Sequence, residues 1–250
     1  MLKALFIRSG STGNATLITD GTTLVLIDMG LTKKLLKEGC AVFDKKIEDI
    51  DAAFFTHAHS DHISGSRFLK GVVPCFASEG TLDEPDFTIE EGVAETIGDI
   101  TVLPFGVSHD APNPVNYLIL CKGEKFAYVT DTGYLSEENL ALLHNCDYYL
   151  IESNHDIKME VKSHRQKILI KRVLSDLGHL SNIDSAKYMV EMMGDKTKGI
   201  YLAHLSDECN THDIALSTHR RVYEEAHIDW TSLDLRCTSE TSMVKGGDWE

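Results

Sequence analysis

The chain has 250 residues, of which 42% are hydrophobic and 25% are charged, a composition ordinary for a globular protein. It has no apolar run of about 18 residues or longer, so no membrane-spanning helix and no membrane partner is expected. The net charge of -15 repels polyanions over most of the surface and argues against a nonspecific nucleic-acid binder, although a locally positive cleft stays compatible with it.

Two further features indicate the compartment. The N-terminal stretch MLKALFIRSGSTGNATLI lacks the continuous apolar core and small-residue cleavage site of a signal peptide. The six cysteines stand singly with no Cys-x-x-Cys pair, which predicts small buried side chains and not disulfides or a thiolate metal site. A cytoplasmic location is therefore expected.

Strand-like runs dominate the first half of the chain. LKALFIR, ATLITD, TTLVLID and AAFFTH come first, with a short helix predicted at LTKKLLKEG, and further strands follow between 87 and 130. After residue 135 helical and strand-like runs alternate, ending with a strand at DLRCTS. This order predicts an α/β (α+β) fold with two sheets and helices outside. We expect one domain over 1–250, with a loose C-terminal tail over about 239–250.

The stretch THAHSDH at 56–62 holds four side chains that can bind a metal ion: His57, His59, Asp61 and His62. On an extended segment residues i and i+2 point the same way, so His57 and His59 can bind one ion together. Asp61 and His62 lie where the chain turns into a helix and aim toward a second ion. Imidazole and carboxylate donors without thiolate suit zinc, manganese or iron.

Further ligands are predicted at the ends of strand-like runs elsewhere in the chain. His109 in GVSHD, Asp131 in YVTDTG and His204 in YLAHLS each follow such a run, a position that delivers a side chain to the edge of a sheet. Any one of them alone would be unremarkable, since a single histidine at a strand end is usually just solvated. With residues 57–62 they make a set of seven ligands.

These motifs resemble the metallo-β-lactamase superfamily, with Asp28 in DMG, then His-x-His-x-Asp-His, then His, Asp and His in order. SGSTGNATL, VSHDAPNPVNYLI, IESNHD, GHLSN and HLSDECN are similar to the YycJ/WalJ-type bacterial branch, which is exonuclease-like. The resemblance implies a four-layer αββα sandwich of two mixed β-sheets. It also implies a dinuclear-metal hydrolase, a phosphodiesterase or 5′-to-3′ exonuclease, acting on nucleic acid, with DNA favoured over RNA.

The same resemblance implies roles for the ligands. The first of two divalent ions would take His57, His59 and His109, the second Asp61, His62 and His204, with Asp131 bridging them. Asp28 would orient a ligand histidine. Zinc or manganese is expected and iron is also compatible. Such ions lower the pKa of a shared water toward about 7, and Asp61 would help to hold the resulting hydroxide for attack.

Four other residues are predicted near the substrate. By similarity to tRNase Z, His179 in GHLSN would bind the scissile phosphate or donate a proton without binding metal; the less favoured alternative is that it caps a helix junction. Asn154 and His155 either line the cleft or cap the next helix. Arg165 lies in the basic segment KMEVKSHRQKILIKR at 158–172, which is either a phosphate-binding surface or a solvated helix face.

Two alternative functions stay open at this point. A small-molecule hydrolase acting on a thioester, lactone or cyclic phosphodiester would use the same metals, and the net charge of -15 favours it. A non-catalytic metal-bound interaction module is disfavoured by the complete ligand set.

Overall fold

The computed structural model describes residues 1–249, which contain fourteen β-strands and seven α-helices. The strands are β1 Lys3–Arg8, β2 Ala15–Thr19, β3 Leu24–Ile27, β4 Ala52–Phe55, β5 Cys75–Ala77, β6 Phe87–Thr88, β7 Glu95–Ile97, β8 Ile100–Gly106, β9 Val115–Cys121, β10 Glu124–Val129, β11 Tyr148–Glu152, β12 Gly199–Ala203, β13 Asp234–Cys237 and β14 Val244–Gly247. The helices are α1 Lys33–Ala41, α2 Ser60–Ile63, α3 Glu137–Leu142, α4 Ile157–Lys162, α5 Lys167–Val173, α6 Asn182–Met192 and α7 His212–Glu225.

Over residues 1–249 these strands assemble into two seven-stranded sheets. The residues also group into two compact units: unit 1 comprises residues 1–106, 111–125 and 238–249, and unit 2 comprises residues 107–110 and 126–237. Both sheets mix parallel and antiparallel pairs. The class of fold expected from the sequence, two mixed β-sheets with flanking helices, is thereby confirmed. The assignment of 1–250 to a single domain stays a prediction.

The first sheet lies in unit 1 in the order β14-β1-β2-β3-β4-β5-β6. In this order the neighbouring strands from β14 to β3 pair antiparallel, and the neighbouring strands from β3 to β6 pair parallel. Strands β2, β3 and β4 are buried along their whole length. The sequences of β3 and β4, LVLI and AAFF, are unbroken apolar runs, whereas β2 also buries Thr16 and Thr19. Helix α1 packs closely on this sheet at Gly39, where an added Cβ would lie 2.5 Å from the Ile7 Cδ1 atom.

The C-terminal segment differs from the prediction of a loose tail over 239–250. Val244–Gly247 forms β14, which pairs antiparallel with β1 from Lys3↔Gly247 to Phe6↔Val244. The Trp249 indole then donates a hydrogen bond to the Gly246 carbonyl oxygen at 2.8 Å and stacks on Phe43 with ring centroids 5.1 Å apart. The short strand escaped detection because its Gly-Gly sequence has weak strand propensity and depends on pairing with β1. Glu250 lies outside the described residues.

Unit 2 is built on the parallel run β10-β11-β12-β13. Strands β11 and β12 are fully buried, and helices connect successive strands, as parallel pairing requires. Within residues 164–178 the chain is helical only over Lys167–Val173. Helices α6 and α7 begin at side-chain caps, in which Ser181 and Thr211 accept hydrogen bonds from the Asp184 and Ile214 amides.

The six cysteines are buried, and none forms a disulfide in the described residues, as predicted. Of the helices between residues 1 and 249, none is both long enough and apolar enough to cross a membrane.

His219 makes the stability of the fold sensitive to acid. Its ring is fully buried, with Nδ1 2.8 Å from the Tyr223 hydroxyl and Nε2 3.2 Å from the Ser153 hydroxyl. Burial lowers the pKa of His219 from 6.5 to about 3. In this pH range His219 binds a proton in the unfolded chain but not in the folded one. The free energy of unfolding therefore falls as the pH falls from 6.5 toward 3.

We expect His219 to cost about 2 kcal/mol of unfolding free energy at pH 5 relative to pH 7.5, because one pKa unit corresponds to about 1.4 kcal/mol. His219→Gln should remove this part of the pH dependence while lowering stability at pH 7.5. Urea unfolding of both proteins at the two pH values measures it. Equal pH dependence in both proteins would contradict the assignment.

Candidate active site

The histidine motif of unit 1 lies on the loop and short helix that follow β4. His57 and His59 bring ring nitrogens together, with the His57 Nε2 atom 3.1 Å from the His59 Nδ1 atom. The two rings meet edge to face, with centroids 4.7 Å apart. This is the common direction that residues i and i+2 of an extended segment take. Asp61 and His62 follow on α2, where the His62 Nε2 atom lies 3.5 Å from Asp61 Oδ2.

Buried groups hold His62 in its orientation. The Asp28 Oδ2 atom lies 2.8 Å from His62 Nδ1, while Asp28 Oδ1 accepts a hydrogen bond from the Thr56 amide at 2.9 Å. With Nδ1 engaged by a carboxylate, Nε2 is the nitrogen turned toward Asp61. The Asn14 Nδ2 atom lies 3.3 Å from Asp61 Oδ2 and 3.0 Å from His62 Nε2. Asn14 ends the SGSTGN turn, and sequence reasoning did not connect it with this cluster.

Unit 2 gathers a second cluster at the ends of its parallel strands. Asp131, Glu152, His179 and His204 each offer a donor atom, and these atoms all lie within 4.8 Å of one another. The Glu152 Oε1 atom lies 2.7 Å from His179 Nδ1 and 3.0 Å from His204 Nδ1. The Asp131 Oδ1 atom lies 3.4 Å from His204 Nδ1 and 3.5 Å from His179 Nδ1. The repeated tripeptide His-Leu-Ser at 179 and 204 therefore converges on one carboxylate.

Glu152 is the site residue that sequence reasoning missed. It ends β11 and is fully buried, and its Oε2 atom accepts hydrogen bonds from the Thr132 and Leu180 amides, both at 3.1 Å. A buried glutamate must be paired to stay charged, and an acid that ends an apolar strand is the sequence signal that could have identified it. Its two hydrogen-bonded histidines then keep their Nε2 atoms for other partners.

The charges of this cluster are coupled. Burial by itself would raise the pKa of Glu152, but the charge and hydrogen bond of His179, with a second hydrogen bond from His204, lower it to about 2. Burial lowers the pKa of His179, and the Glu152 carboxylate more than offsets this, so that the pKa of His179 is raised above 6.5. Glu152 is thus an anion that favours protonated His179.

His109 lies at the border of the same cluster. Its Nδ1 atom lies 3.1 Å from the Gly178 carbonyl oxygen, which can accept the Nδ1 proton and fix the ring. The His109 Nε2 atom lies 3.9 Å from Asp131 Oδ1, and the rings of His109 and His179 are 5.2 Å apart.

Three of the site residues have a left-handed backbone. Asp28, Asp131 and His204 have φ of 60°, 49° and 53°, and they follow the buried strands β3, β10 and β12. Such conformations are uncommon outside glycine and carry strain that the surrounding structure must hold. The turn aims each side chain past the strand end.

The predicted substrate residues differ in their surroundings. Asn154 donates a hydrogen bond to the His204 carbonyl oxygen at 2.8 Å and so helps to fix the backbone of that residue. His155 lies, with His179, on the wall of a cavity of about 280 Å³ in unit 2. Burial lowers the pKa of His155.

The Arg165 guanidinium is engaged by partners within the protein. Its guanidinium bonds to Glu208 at 2.6 Å, to Glu160 at 3.1 Å and to the Ser206 hydroxyl at 3.0 Å. Sequence reasoning could not identify these partners, because Glu208 and Ser206 lie about forty residues away. Arg172 of the same basic segment pairs with Asp110. The lysines at 158, 162, 167 and 171 are exposed.

The donor chemistry of both clusters fits divalent metal ions. Imidazole nitrogens and carboxylate oxygens are arranged in each unit with no thiolate among them, a combination suited to zinc, manganese or iron. Buried carboxylates orient the histidines, as is usual for metal ligands.

Comparison with known proteins agrees with this chemistry. The β-lactamase superfamily domain matches residues 23–204. The chain belongs to this superfamily. Exodeoxyribonuclease WalJ of Streptococcus pneumoniae strain D39 is 39% identical to it over 231 residues, which are 86% of each chain. Exodeoxyribonuclease YycJ of Bacillus anthracis is 35% identical over 232 residues, or 88% of each chain.

A solved structure has the same fold. The metallo-β-lactamase fold protein YhfI from Bacillus subtilis superposes with a TM-score of 0.73, covering 98% of this chain and 99% of that one. The sequence identity is 16%, so this likeness concerns the fold alone.

Proposed function

We propose that this chain is a metal-dependent exodeoxyribonuclease that hydrolyses phosphodiester bonds of DNA in the 5′-to-3′ direction. The observation that carries the proposal is the identity of 39% with exodeoxyribonuclease WalJ over 86% of both chains. The histidine and carboxylate clusters of the two units supply the ligands that such chemistry needs. The net charge of -15 favours a small-molecule hydrolase, but the identity with two exodeoxyribonucleases outweighs it.

The proposed metal ligands are those that the family resemblance implies. They would hold two divalent ions, zinc or manganese with iron also compatible, and comprise His57, His59, Asp61, His62, His109, Asp131 and His204. Ions bound there would act as Lewis acids on phosphate oxygens and bring the pKa of a bound water toward about 7. Asp28 engages Nδ1 of His62 and Glu152 engages Nδ1 of His204, so these two imidazoles present Nε2 from a fixed direction.

His179 is proposed to act on the phosphate. Glu152 engages its Nδ1 atom at 2.7 Å and favours the protonated ring, while the ring borders the cavity of unit 2. A protonated imidazole can stabilise the charge that builds on a phosphoryl oxygen, or give its proton to the leaving oxygen. His155 and Asn154 are proposed to shape this part of the substrate site.

The activity is tested with purified protein supplied with Zn²⁺ or Mn²⁺. Substrates are end-labelled DNA and RNA of one sequence, each with a 5′-phosphate or a 3′ label, besides bis-p-nitrophenyl phosphate and a thioester. We expect stepwise release of mononucleotides from the 5′ end of DNA. Cleavage of RNA in preference to DNA would replace DNA by RNA as the assigned substrate. Thioester cleavage without phosphodiesterase activity would refute the proposal.

We expect His179→Ala to retain the bound metal of the wild type while its turnover of DNA falls by about 10²-fold or more, the usual scale for an acid–base or oxyanion partner. Metal content is measured by elemental analysis and turnover under saturating DNA. The loss should appear in kcat more than in KM, since the group acts in the transition state. Unchanged turnover would contradict the role.

A further inference from the structure

A cavity of unit 1 lies beside the helix that carries two of the proposed ligands. It has a volume of about 310 Å³, and its lining includes Ser64, the residue that ends α2. Asp61 lies three residues earlier, about 4.5 Å along a helix axis. The Ser64 hydroxyl bonds to the Gly30 carbonyl oxygen, and Gly30 packs so closely on the Asp61 backbone that no side chain would fit there.

Two arginines line this cavity although the protein has a net charge of -15. Arg67 is exposed, with its guanidinium 4.9 Å from the centroid of the Phe68 ring, a contact that holds the planar group in place. Arg8 is half-buried and bonds to the Ile7 carbonyl oxygen. Neither forms a salt bridge in the described residues, although most other arginines of the chain do.

The remaining polar groups also suit an anion. Thr12, Thr32 and Ser64 line the cavity. The Thr32 hydroxyl caps the nine-residue helix α1 by accepting from the Leu35 amide, which leaves its own proton to donate to an anion. Guanidinium groups, hydroxyls and a helix N-terminus are the groups that contact DNA phosphates. The Glu240 side chain also lines the cavity and packs against Gly10. Its one negative charge and the two positive charges of the arginines leave the cavity with one excess positive charge.

We propose that this cavity binds a backbone phosphodiester of the DNA strand, next to the phosphate that is hydrolysed. The proposal rests on the proposed exodeoxyribonuclease function. One strand carries a phosphate for every ~3.4 Å of helix axis, so a strand held at Asp61 and His62 presents neighbouring phosphates to Arg67 and Arg8. It also accounts for the SGSTGN turn, which contributes Thr12 to the wall.

The test measures binding, so that it does not depend on cleavage. Metal-loaded protein is titrated by fluorescence anisotropy into a labelled single-stranded DNA 12-mer with phosphorothioate linkages, which resist hydrolysis, over a series of salt concentrations. Variants are Arg67→Ala, Arg8→Ala and Glu240→Gln. The control is Lys37→Ala, which removes the same charge from an exposed position of α1 outside the cavity.

We expect Arg67→Ala and Arg8→Ala each to weaken binding about tenfold at low salt, and to reduce the slope of log K against log salt by about 0.7. Glu240→Gln should tighten binding, and Lys37→Ala should leave the affinity and the slope nearly unchanged. Thermal unfolding checks that each variant is folded.

Three results would overturn the proposal. The first is an Arg67→Ala affinity and slope equal to those of Lys37→Ala. The second is a loss seen in both arginine variants only when the DNA has a 5′-phosphate, which would assign the cavity to the terminal phosphate. The third is an affinity for DNA that is the same in Arg67→Ala, Arg8→Ala, Glu240→Gln and the wild type. Arginine-dependent binding without any DNA cleavage would leave the cavity assignment standing and refute the nuclease function.

Discussion

Glu152→Gln is expected to abolish most of the nuclease activity and to destabilise the protein. The carboxylate accepts from two histidine Nδ1 atoms and from two backbone amides, so every partner is a donor. Glutamine in its place would direct its amide N–H groups at partners that are themselves donors. It would also lack the negative charge that favours protonated His179. We expect turnover of DNA to fall by about 10²-fold or more, as for loss of an acid–base partner. Unfolding free energy should fall by about 2–3 kcal/mol.

Turnover, metal content and urea unfolding are measured on the same preparations. Glu225→Gln is the matched control, because it makes the same change at an exposed residue of α7 that pairs only with Arg221 among the bonds described. Its activity and stability should stay close to those of the wild type. Wild-type activity in Glu152→Gln would show that the buried carboxylate neither orients the two histidines nor sets their charge.

The second large effect is expected for His59→Ala. The His57 and His59 nitrogens lie 3.1 Å apart, a convergence of two basic groups that is costly without a shared proton or ion. Removing one of them leaves an ion with too few protein ligands. The variant should therefore lose at least one bound metal ion per chain and all hydrolysis of DNA.

Elemental analysis after gel filtration measures the metal, and end-labelled DNA measures the activity. His144→Ala is the control, since His144 is an exposed histidine of the loop after α3 and takes no part in either cluster. Full metal content in His59→Ala would refute the assignment of His59 as a ligand. Equal losses in the two variants would indicate an unspecific effect of removing histidine.

Part of the site was predictable because its signals are local in the sequence. His57 and His59 are two residues apart after an apolar run, and this spacing already implies a common direction. Asp131 and His204 follow buried strands, where the chain must leave the sheet. The polar residues that control these ligands are not local. Glu152 meets His179 and His204, which lie 27 and 52 residues away, and no spacing rule connects them.

The roles of charged residues were predicted less well. Arg165 belongs to a basic run and was expected to contact substrate, but the fold brings Glu160, Glu208 and Ser206 to its guanidinium. Arg8 and Arg67 are isolated in the sequence, and no local pattern connects them. They share a cavity only because β1 and the turn after α2 lie next to each other.

The sequence by itself determined the two-sheet fold class, the family and the run of histidines and carboxylates, because hydrophobic patterning and strand-end positions are local properties. Tertiary structure alone decided that two similar His-Leu-Ser segments meet one buried glutamate, that Arg165 is neutralised, and that Val244–Gly247 completes a sheet. Each of these depends on contacts between residues distant in the chain. Their energies come from burial and pairing, which no single segment possesses before the chain folds.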